Sequence, residues 1–217
     1  PVRSAGFSPD GRSVLTTSTE RSARIWDPDT GECLRVLSGP DGVRSAAFSP
    51  DSCWVATTSR RGAAQLWDAG TGGCLQTFSL GANRMLSAAI SPDRSAVVTA
   101  TSHGTACIWS TDTGKCTRVL EGHEGLVSSA AFSPDGSEVV TASVDSTARV
   151  WDARTGECVQ TFRVERGFVR SATVSPDGRW VATTTEDGLA QVWGAGAGER
   201  TLRGHDGRVF SAAFSPD

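Results

Sequence analysis

The chain has 217 residues, of which 38% are hydrophobic and 21% are charged, and its formal net charge is −3. This balance is ordinary for a folded globular protein, and it gives no global reason to expect binding to nucleic acid or to an anionic membrane. No apolar run approaches the roughly 20 residues that a membrane-spanning helix needs, and no signal peptide is recognised at the start. The chain begins with Pro1 and its only methionine is Met85. We therefore expect a piece of a longer protein that does not enter membranes.

A repeat of about 42 residues runs through the whole chain. Ser-Pro-Asp begins at residues 8, 49, 91, 133, 175 and 215, at intervals of 41, 42, 42, 42 and 40. Five tryptophans keep the same spacing: Trp26, Trp67, Trp109, Trp151 and Trp193. Because periods of roughly 20 to 50 residues are typical of solenoids and propellers, the spacing predicts stacked units of one kind.

The unit that starts at Val127 indicates what each repeat builds. Short runs rich in Val, Ala, Ser and Thr predict four strands, a to d, at 127–132, 138–143, 147–152 and 157–162. Apolar side chains occur on both faces of strand c, with Val150 on one face and Trp151 on the other. Such a sheet needs a neighbour on each side, and radial stacking supplies it. The predicted fold is all-β, a β-propeller of four-stranded antiparallel blades.

These residues resemble the WD-repeat β-propeller family. The motifs are Phe-Ser-Pro-Asp-Gly, Asp-Ser-Thr-Ala-Arg-Val-Trp-Asp, Thr-Gly-Glu-Cys and Gly-His, and full or partial copies of them recur in phase over nearly the whole chain. The resemblance implies blades at about 2–42, 43–84, 85–126, 127–168 and 169–208, with 209–217 as the first strand of a sixth. Members of the family close their ring by pairing strands from both chain ends, whereas this chain starts and finishes on strand a. We therefore expect an incomplete ring, a fragment of a larger propeller, whose open blade edges favour self-association.

The resemblance also implies a buried hydrogen-bonded set in each good blade. It consists of a His before strand a, a Ser or Thr on strand b, an Asp in the b–c turn and the Trp of strand c. Only the fourth unit has the complete set: His123, Thr141, Asp145 and Trp151. Departures in the other units are Glu20 in the first, Pro40 and Arg61 in the second, Gly81 and His103 in the third, and Glu165 in the fifth, which keeps Asp187. We expect the fourth blade to be the best ordered.

Catalytic and metal-binding interpretations find little support in the residues. His123 and Asp145 could form an acid–base pair, but no nucleophile recurs beside them, so no enzyme activity, cofactor or metal is expected. Four of the six cysteines occupy one repeat position: Cys33, Cys74, Cys116 and Cys158. Equivalent positions on stacked sheets lie about 10 Å apart, beyond the Cα separation of about 7 Å that a disulfide tolerates. Reduced thiols predict an intracellular, most simply cytoplasmic, protein.

The residues on either side of the first residue of strand a are the candidates for partner binding. We call them the rim residues, because the repeat should direct them to one mouth of the propeller, which is often a partner site in this family. They are Arg3, Arg44, Arg84, Leu86, Leu126, Ser128, Phe168, Arg170, Arg208 and Phe210. Arginine and aromatic side chains are favoured at the centres of interfaces.

The sequence therefore predicts a non-catalytic scaffold that binds a protein or peptide, with an acidic or phosphorylated segment as the best chemical match. One alternative is that the same arginines bind nucleic acid or a phosphate ligand. Others are a propeller-type enzyme and a solvated rim that has no partner. At the opposite mouth, Trp54 and Trp180 either pack against a neighbouring loop or form a second contact surface.

Overall fold

The computed structural model describes residues 2–18, 22–59, 61–81, 83–194 and 198–215. Within these ranges the regular secondary structure is twenty β-strands, arranged as five four-stranded antiparallel sheets. The same part of the chain contains no helix that is long and apolar enough to cross a membrane. The all-β fold with blades of the propeller type is confirmed.

Each sheet is a meander in which strands a, b, c and d pair in chain order. The first blade contains β1 (Val2–Phe7), β2 (Val14–Ser18), β3 (Ala23–Trp26) and β4 (Cys33–Leu37). The second contains β5 (Ser45–Phe48), β6 (Trp54–Thr58), β7 (Ala63–Asp68) and β8 (Cys74–Ser79). The third contains β9 (Met85–Ile90), β10 (Ala96–Thr101), β11 (Thr105–Ser110) and β12 (Cys116–Glu121). The fourth contains β13 (Val127–Phe132), β14 (Glu138–Ser143), β15 (Thr147–Asp152) and β16 (Cys158–Arg163). The fifth contains β17 (Val169–Val174), β18 (Trp180–Thr185), β19 (Ala190–Gly194) and β20 (Gly198–Leu202).

The chain forms two compact units. The first comprises Pro1–Thr99 and Trp109–Thr117, and the second comprises Ala100–Ile108 and Arg118–Asp217. The first two blades therefore belong to the first unit and the last two to the second, while the third blade has residues in each.

Strand bounds in the fourth blade agree with those predicted, except in strand d. Strands a, b and c coincide with the predicted ranges, whereas strand d begins at Cys158, one residue later than predicted. Glu157 closes the turn instead: its amide donates to the Thr155 hydroxyl at 3.2 Å and its carbonyl accepts the Asp152 amide at 2.9 Å. The preceding turn therefore sets where this strand starts.

Adjacent blades share a core within each unit. In the second unit, Val150 and Phe162 of the fourth blade pack in one buried cluster with Val169 and Trp193 of the fifth. The centroids of the Phe162 and Trp193 rings are 5.1 Å apart. In the first unit, Leu15, Ile25 and Leu37 of the first blade cluster with Val55 and Trp67 of the second. In both pairs, the apolar side chains on the facing sides of two adjacent blades form their shared core.

Residues 203–215 are not part of any strand in the structure. The amide of Val209 nevertheless donates to the carbonyl of Thr185 at 3.3 Å, which ties this segment to the fifth blade. Asp217 and its neighbour at 216 lie outside the described residues, as does Glu20 of the first repeat. That 209–217 begins a sixth blade stays a prediction.

The b–c turn requires a left-handed backbone at its third residue. This residue is Gly62, Gly104 and Gly188 in the second, third and fifth blades, with φ of 85°, 81° and 88°, and Ser146 in the fourth, with φ of 67°. Residues with a Cβ adopt this left-handed region at a cost in free energy, whereas glycine does not. A Cβ added at Gly104 would lie 2.8 Å from the carbonyl oxygen of His123.

We expect exchanges of glycine and serine at this turn to change stability in opposite directions. Ser146→Gly should raise the free energy of unfolding by roughly 0.5 kcal/mol, because relief of the left-handed backbone exceeds the entropic cost of glycine. Gly104→Ser should lower it by more than about 1 kcal/mol, since strain and a close backbone contact act together. Urea denaturation of both variants measures the shifts, and a loss of stability in both would contradict the argument.

Candidate functional site

A β-bulge marks the start of strand a in three blades. The pairing of strand a with strand b shifts register between Val2 and Ser4, between Val127 and Ser129, and between Val169 and Ser171. The extra residues are therefore Arg3, Ser128 and Arg170, all of them rim residues. A bulged residue has no cross-strand partner, and bulges redirect side chains near binding sites. The bulge therefore places Arg3, Ser128 and Arg170 outside the regular pairing of strand a with strand b.

The b–c turn lies beside the start of strand a in the same blade. In the fourth blade the amide of Val144 donates to the carbonyl of Leu126 at 3.0 Å, and in the fifth the amide of Glu186 donates to the carbonyl of Phe168 at 3.1 Å. We call this end of each blade the rim end. Residues from the b–c turn are therefore available to interact with the rim residues.

The fifth blade gathers two rim arginines around one carboxylate. Nη2 of Arg170 lies 3.3 Å from Oε1 of Glu186, and Nη2 of Arg208 lies 2.9 Å from the same oxygen. The Glu186 side chain is 22% exposed, whereas the two arginine side chains are 37% and 59% exposed. The three side chains together carry a net charge of about +1 at neutral pH.

Two exposed phenylalanines accompany this charged cluster: the Phe210 ring contacts Arg170, and the Phe168 carbonyl accepts the Glu186 amide. Phe168 is 48% exposed and Phe210 is 68% exposed. The guanidinium carbon of Arg170 lies 5.8 Å from the centroid of the Phe210 ring, within the range of a cation–π contact. We call Phe168, Arg170, Glu186, Arg208 and Phe210 the fifth-blade cluster. It combines positive charge with apolar surface in a small area.

The other rim residues divide between exposed and structural positions. In the second unit, Leu126 is half-buried and the Ser128 hydroxyl donates to the carbonyls of Val169 and Ala142, at 2.8 and 3.1 Å. In the first unit, Arg3 and Arg84 are exposed, Arg44 is half-buried and Leu86 is buried, with 8% of its surface exposed. That all the rim residues form one surface stays a prediction, because these residues are divided between the two units.

The fourth blade forms the predicted buried hydrogen-bonded set. Nδ1 of His123 lies 2.8 Å from Oδ2 of Asp145, and Nε2 lies 2.7 Å from the Thr141 hydroxyl. The indole N–H of Trp151 donates to the same hydroxyl at 2.8 Å. Asp145 also accepts hydrogen bonds from the Thr147 hydroxyl at 2.6 Å, the Thr147 amide at 2.9 Å and the Glu124 amide at 3.0 Å. These contacts join the start of the blade to strands b and c.

The tryptophan–threonine part of this set occurs in all five blades. Each strand-c indole N–H donates to a strand-b threonine hydroxyl at 2.8 to 2.9 Å. The pairs are Trp26–Thr16, Trp67–Thr57, Trp109–Thr99, Trp151–Thr141 and Trp193–Thr183. The chain has three histidines, and His103 and His205 are exposed. The repeat therefore keeps the inner pair everywhere and completes it with histidine in the fourth blade.

A family model described as "WD domain, G-beta repeat" matches residues 1–27, 31–68, 72–110, 114–152 and 156–194. The chain belongs to the WD-repeat family. Each full match begins after strand c and ends on strand c of the next blade, so one sequence repeat supplies strand d of one blade and strands a to c of the following one. WD repeats are generally non-catalytic interaction scaffolds that bind proteins or peptides.

The hydrogen bonds of this WD repeat are consistent with a neutral His123. The Nδ1–H donates to the Asp145 carboxylate, and Nε2 accepts the Thr141 hydroxyl proton, which leaves the threonine oxygen to accept the Trp151 N–H. Burial lowers the pKa of His123 and outweighs the opposing effect of Asp145. Burial also disfavours the charged form of Asp145, but hydrogen bonds from Thr147 and His123 prevail and lower its pKa to about 2.

We expect the WD-repeat chain to lose stability as the pH falls from about 7 towards 5. Since the pKa of His123 is lower in the folded state, the unfolded state binds more protons in this range, and folding becomes less favourable with falling pH. A second loss should follow between about 4 and 2, as Asp145 takes up a proton. Urea denaturation at intervals of pH measures both losses. His123→Gln should flatten the profile between about 7 and 5, and an unchanged slope would contradict the assignment.

Trp54 and Trp180, at the opposite end of the WD blades, are both half-buried. The guanidinium of Arg94 lies 5.0 Å from the Trp54 ring centroid, and its Nε lies 3.1 Å from Oδ2 of Asp51. A Cβ added at Gly194 would collide with the Trp180 ring, so the indole fills the place that a side chain would take. These contacts favour packing as the role of both rings.

The sequence did not predict a binding role for Glu186, the residue on which the fifth-blade cluster converges. The repeat alignment contains the signal, because the residue before the turn Asp is Thr19, Arg60, Ser102 and Val144 in the earlier WD repeats and an acid only in the fifth. The role of Glu186 depends on the bulge and on the segment after β20, because these bring Arg170 and Arg208 to it. Neither is evident from spacing alone.

Proposed function

We propose that this chain is a non-catalytic scaffold that binds an acidic or phosphorylated segment of a partner protein through the rim end of the fifth blade. The observation that carries the proposal is the convergence of Arg170 and Arg208 on a single carboxylate oxygen. An anion is already accommodated at this position, and the partner's acidic group would use the same donors.

The chemistry of the two arginines supports an anionic ligand. Guanidinium groups bind carboxylate and phosphate through a planar fork, and charge-assisted hydrogen bonds of this kind are stronger than neutral ones. Each arginine contacts Glu186 through Nη2. Because both arginine side chains are more than one third exposed, an incoming ligand can reach them from solvent.

The aromatic rings support a peptide rather than a small ion. Phe168 and Phe210 offer apolar surface beside the charges, and such surface is desolvated when a peptide covers it. Inorganic phosphate would leave both rings in water. We therefore expect the ligand to place an acidic side chain on the arginines and an apolar neighbour against the phenylalanines.

A groove at the opposite end of the same two blades is lined by acidic residues. This groove of about 320 Å³ lies between the Ser-Pro-Asp turns and is lined by Asp135, Glu138 and Asp177. Burial raises the pKa of Glu138, and the neighbouring Asp135 and Asp152 raise it further. An acidic peptide is therefore repelled from this end, which favours the rim end as its binding surface.

The His123–Asp145 pair supports a structural role and hence the non-catalytic part of the proposal. His123 is 9% exposed, and both of its ring nitrogens are engaged by Asp145, Thr147 and Thr141. A general base needs access to its substrate. Arg3 and Arg84, the exposed rim residues of the first unit, are separate candidates for partner binding that the same assay can test.

The test measures binding of labelled peptides by fluorescence anisotropy. The probes are a hexaglutamate peptide, a peptide with two phosphoserines and a phenylalanine, and a hexaglutamine peptide. The variant Arg170→Glu/Arg208→Glu should weaken binding of both acidic probes by more than about tenfold, because charge-assisted hydrogen bonds are lost and charge repulsion is added. The matched control Arg163→Glu/Arg179→Glu makes the same charge change at exposed positions of the fourth and fifth blades.

A milder variant keeps the test informative if the double glutamate variant unfolds. Arg170→Gln/Arg208→Gln removes the charges without adding repulsion, and its urea midpoint reports on folding. Equal affinities in the wild type and in a folded variant would overturn the proposal. Tighter binding of a single-stranded dT12 probe, with a steep salt dependence, would favour nucleic-acid binding instead.

A further inference from the structure

We infer that Glu186 is an internal competitor for the anion-binding position of the fifth-blade cluster, and that it thereby sets which acidic segments the surface accepts. The inference rests on the proposed function, because it assigns a role to Glu186 at the same site. It goes further in naming the group that a partner must displace.

The contacts of Glu186 are those that a ligand carboxylate would make. One oxygen, Oε1, lies within 3.3 Å of Nη2 of Arg170 and 2.9 Å of Nη2 of Arg208. Nε of Arg170 is buried and has no hydrogen-bond partner. The internal carboxylate thus uses the terminal nitrogens of the two arginines and leaves an inner donor unsatisfied, so the site is occupied but incompletely bonded.

Displacement of the Glu186 side chain requires no change in the fold. Its backbone amide donates to the carbonyl of Phe168 at 3.1 Å, and the neighbouring Thr185 carbonyl accepts the Val209 amide at 3.3 Å. The backbone is therefore fixed on both sides of the cluster, while the side chain can rotate into solvent. Partly exposed ion pairs contribute little to stability, so a ligand with stronger contacts can take the position.

The competitor is specific to the fifth blade. In the third and fourth blades the equivalent b–c turn residues are Ser102 and Val144, which carry no charge. The Val144 amide makes the same hydrogen bond, to the carbonyl of Leu126 at 3.0 Å. A carboxylate is therefore not needed for this turn to form. In the fifth blade its effect is on ligand binding, because it occupies donors of Arg170 and Arg208.

Competition makes the surface selective for multiply charged ligands. With Glu186 in place, a ligand that has a single carboxylate replaces one carboxylate by another at the two arginines. Its binding therefore gains little free energy. A phosphate, with charge near −2 and three acceptor oxygens, or a run of acidic side chains, gains more than it displaces. We therefore expect phosphorylated or densely acidic segments to bind, and segments with one isolated acid to be rejected.

The test compares Glu186→Gln with Glu121→Gln, which makes the same charge change at an exposed position of β12. The probes are a peptide with a single glutamate, hexaglutamate and the doubly phosphorylated peptide. Glu186→Gln should raise affinity for the single-glutamate peptide by roughly tenfold, from the removal of one competing charge. Its gain for the phosphopeptide should be smaller. Glu121→Gln should match the wild type.

The outcomes separate this inference from the proposed function. If the acidic probes bind through Arg170 and Arg208 but Glu186→Gln leaves their affinities unchanged or lowers them, the competition is overturned, and a lowered affinity would show that Glu186 positions the arginines. If no acidic probe binds the wild type or either variant, the proposed function fails as well. Glu186→Asp, which keeps the charge on a shorter side chain, should give intermediate affinities and guards against an effect of the amide itself.

Discussion

Asp145→Ala is expected to lower the free energy of unfolding by about 3 kcal/mol, because buried donors lose an ionised acceptor. The Asp145 side chain is 9% exposed and accepts hydrogen bonds from His123, from Thr147 and from the Glu124 amide. Alanine replaces none of these contacts, and water has little access to restore them. The loss is a large fraction of the 5 to 15 kcal/mol that is typical of folded domains.

Asp187→Ala is the matched control, because Asp187 occupies the same turn position in the fifth blade but is exposed. Glu165 stands where the fourth blade has His123, so no imidazole depends on this carboxylate. We expect a change within about 0.5 kcal/mol. Urea denaturation gives both values, and hydrogen exchange should show loss of protection centred on the fourth blade for Asp145→Ala. Similar losses in the two variants would mean that the turn itself, and not the histidine, determines the effect.

Thr141→Val is expected to destabilise the protein by about 2 to 4 kcal/mol, since it leaves two buried groups without partners. The Thr141 hydroxyl bonds Nε2 of His123 and accepts the Trp151 indole N–H, at 2.7 and 2.8 Å, and Thr141 is fully buried. Valine keeps the shape of the side chain and removes the oxygen. The cost therefore reports hydrogen bonding with little contribution from a cavity.

Thr183→Val tests the same position in the fifth blade, which has the tryptophan–threonine pair but Glu165 in place of the histidine. Thr183 is fully buried and accepts the Trp193 indole N–H at 2.9 Å. One group rather than two loses its partner, so the expected cost is roughly 1 to 2 kcal/mol. The difference between the two variants measures what the histidine adds to a blade. Equal costs would show that His123 contributes little beyond the tryptophan–threonine pair.

The fold could be predicted from the sequence because repetition makes local signals unambiguous. Trp151 and the Ser-Pro-Asp turn beginning at Ser133 are weak signals alone, but recurrence every 42 residues fixes strands and turns together. The His123, Thr141, Asp145 and Trp151 contacts followed from the family resemblance, since they depend on register within one blade. The strand-d boundary was wrong by one residue because the turn absorbed Glu157.

The binding surface was less predictable because it depends on contacts between segments that no repeat rule connects. Arg170 lies near the start of the fifth repeat and Arg208 at its end, and they meet through Glu186, which carries no signature of its own. Leu86 and Ser128 were grouped with the arginines by position, yet Leu86 is buried and Ser128 bonds the backbone. The position of a residue in the repeat thus predicts where its backbone lies in the blade. It does not predict which neighbouring groups its side chain contacts.

The bulge at the start of strand a also bears on how a repeat protein of this kind acquires new specificities. Arg3, Ser128 and Arg170 are each the extra residue in the a–b pairing, and no residue faces them across the ladder. A substitution at such a site disturbs no cross-strand pair, so it can alter the ligand without a matching change elsewhere. Selection, natural or in the laboratory, can therefore vary Arg3 and Arg170 one at a time while the blades stay folded, whereas Ser128 is constrained by its hydrogen bonds to the Val169 and Ala142 carbonyls. Where its side chain reaches solvent, the bulge is a tolerant site for building libraries of binders.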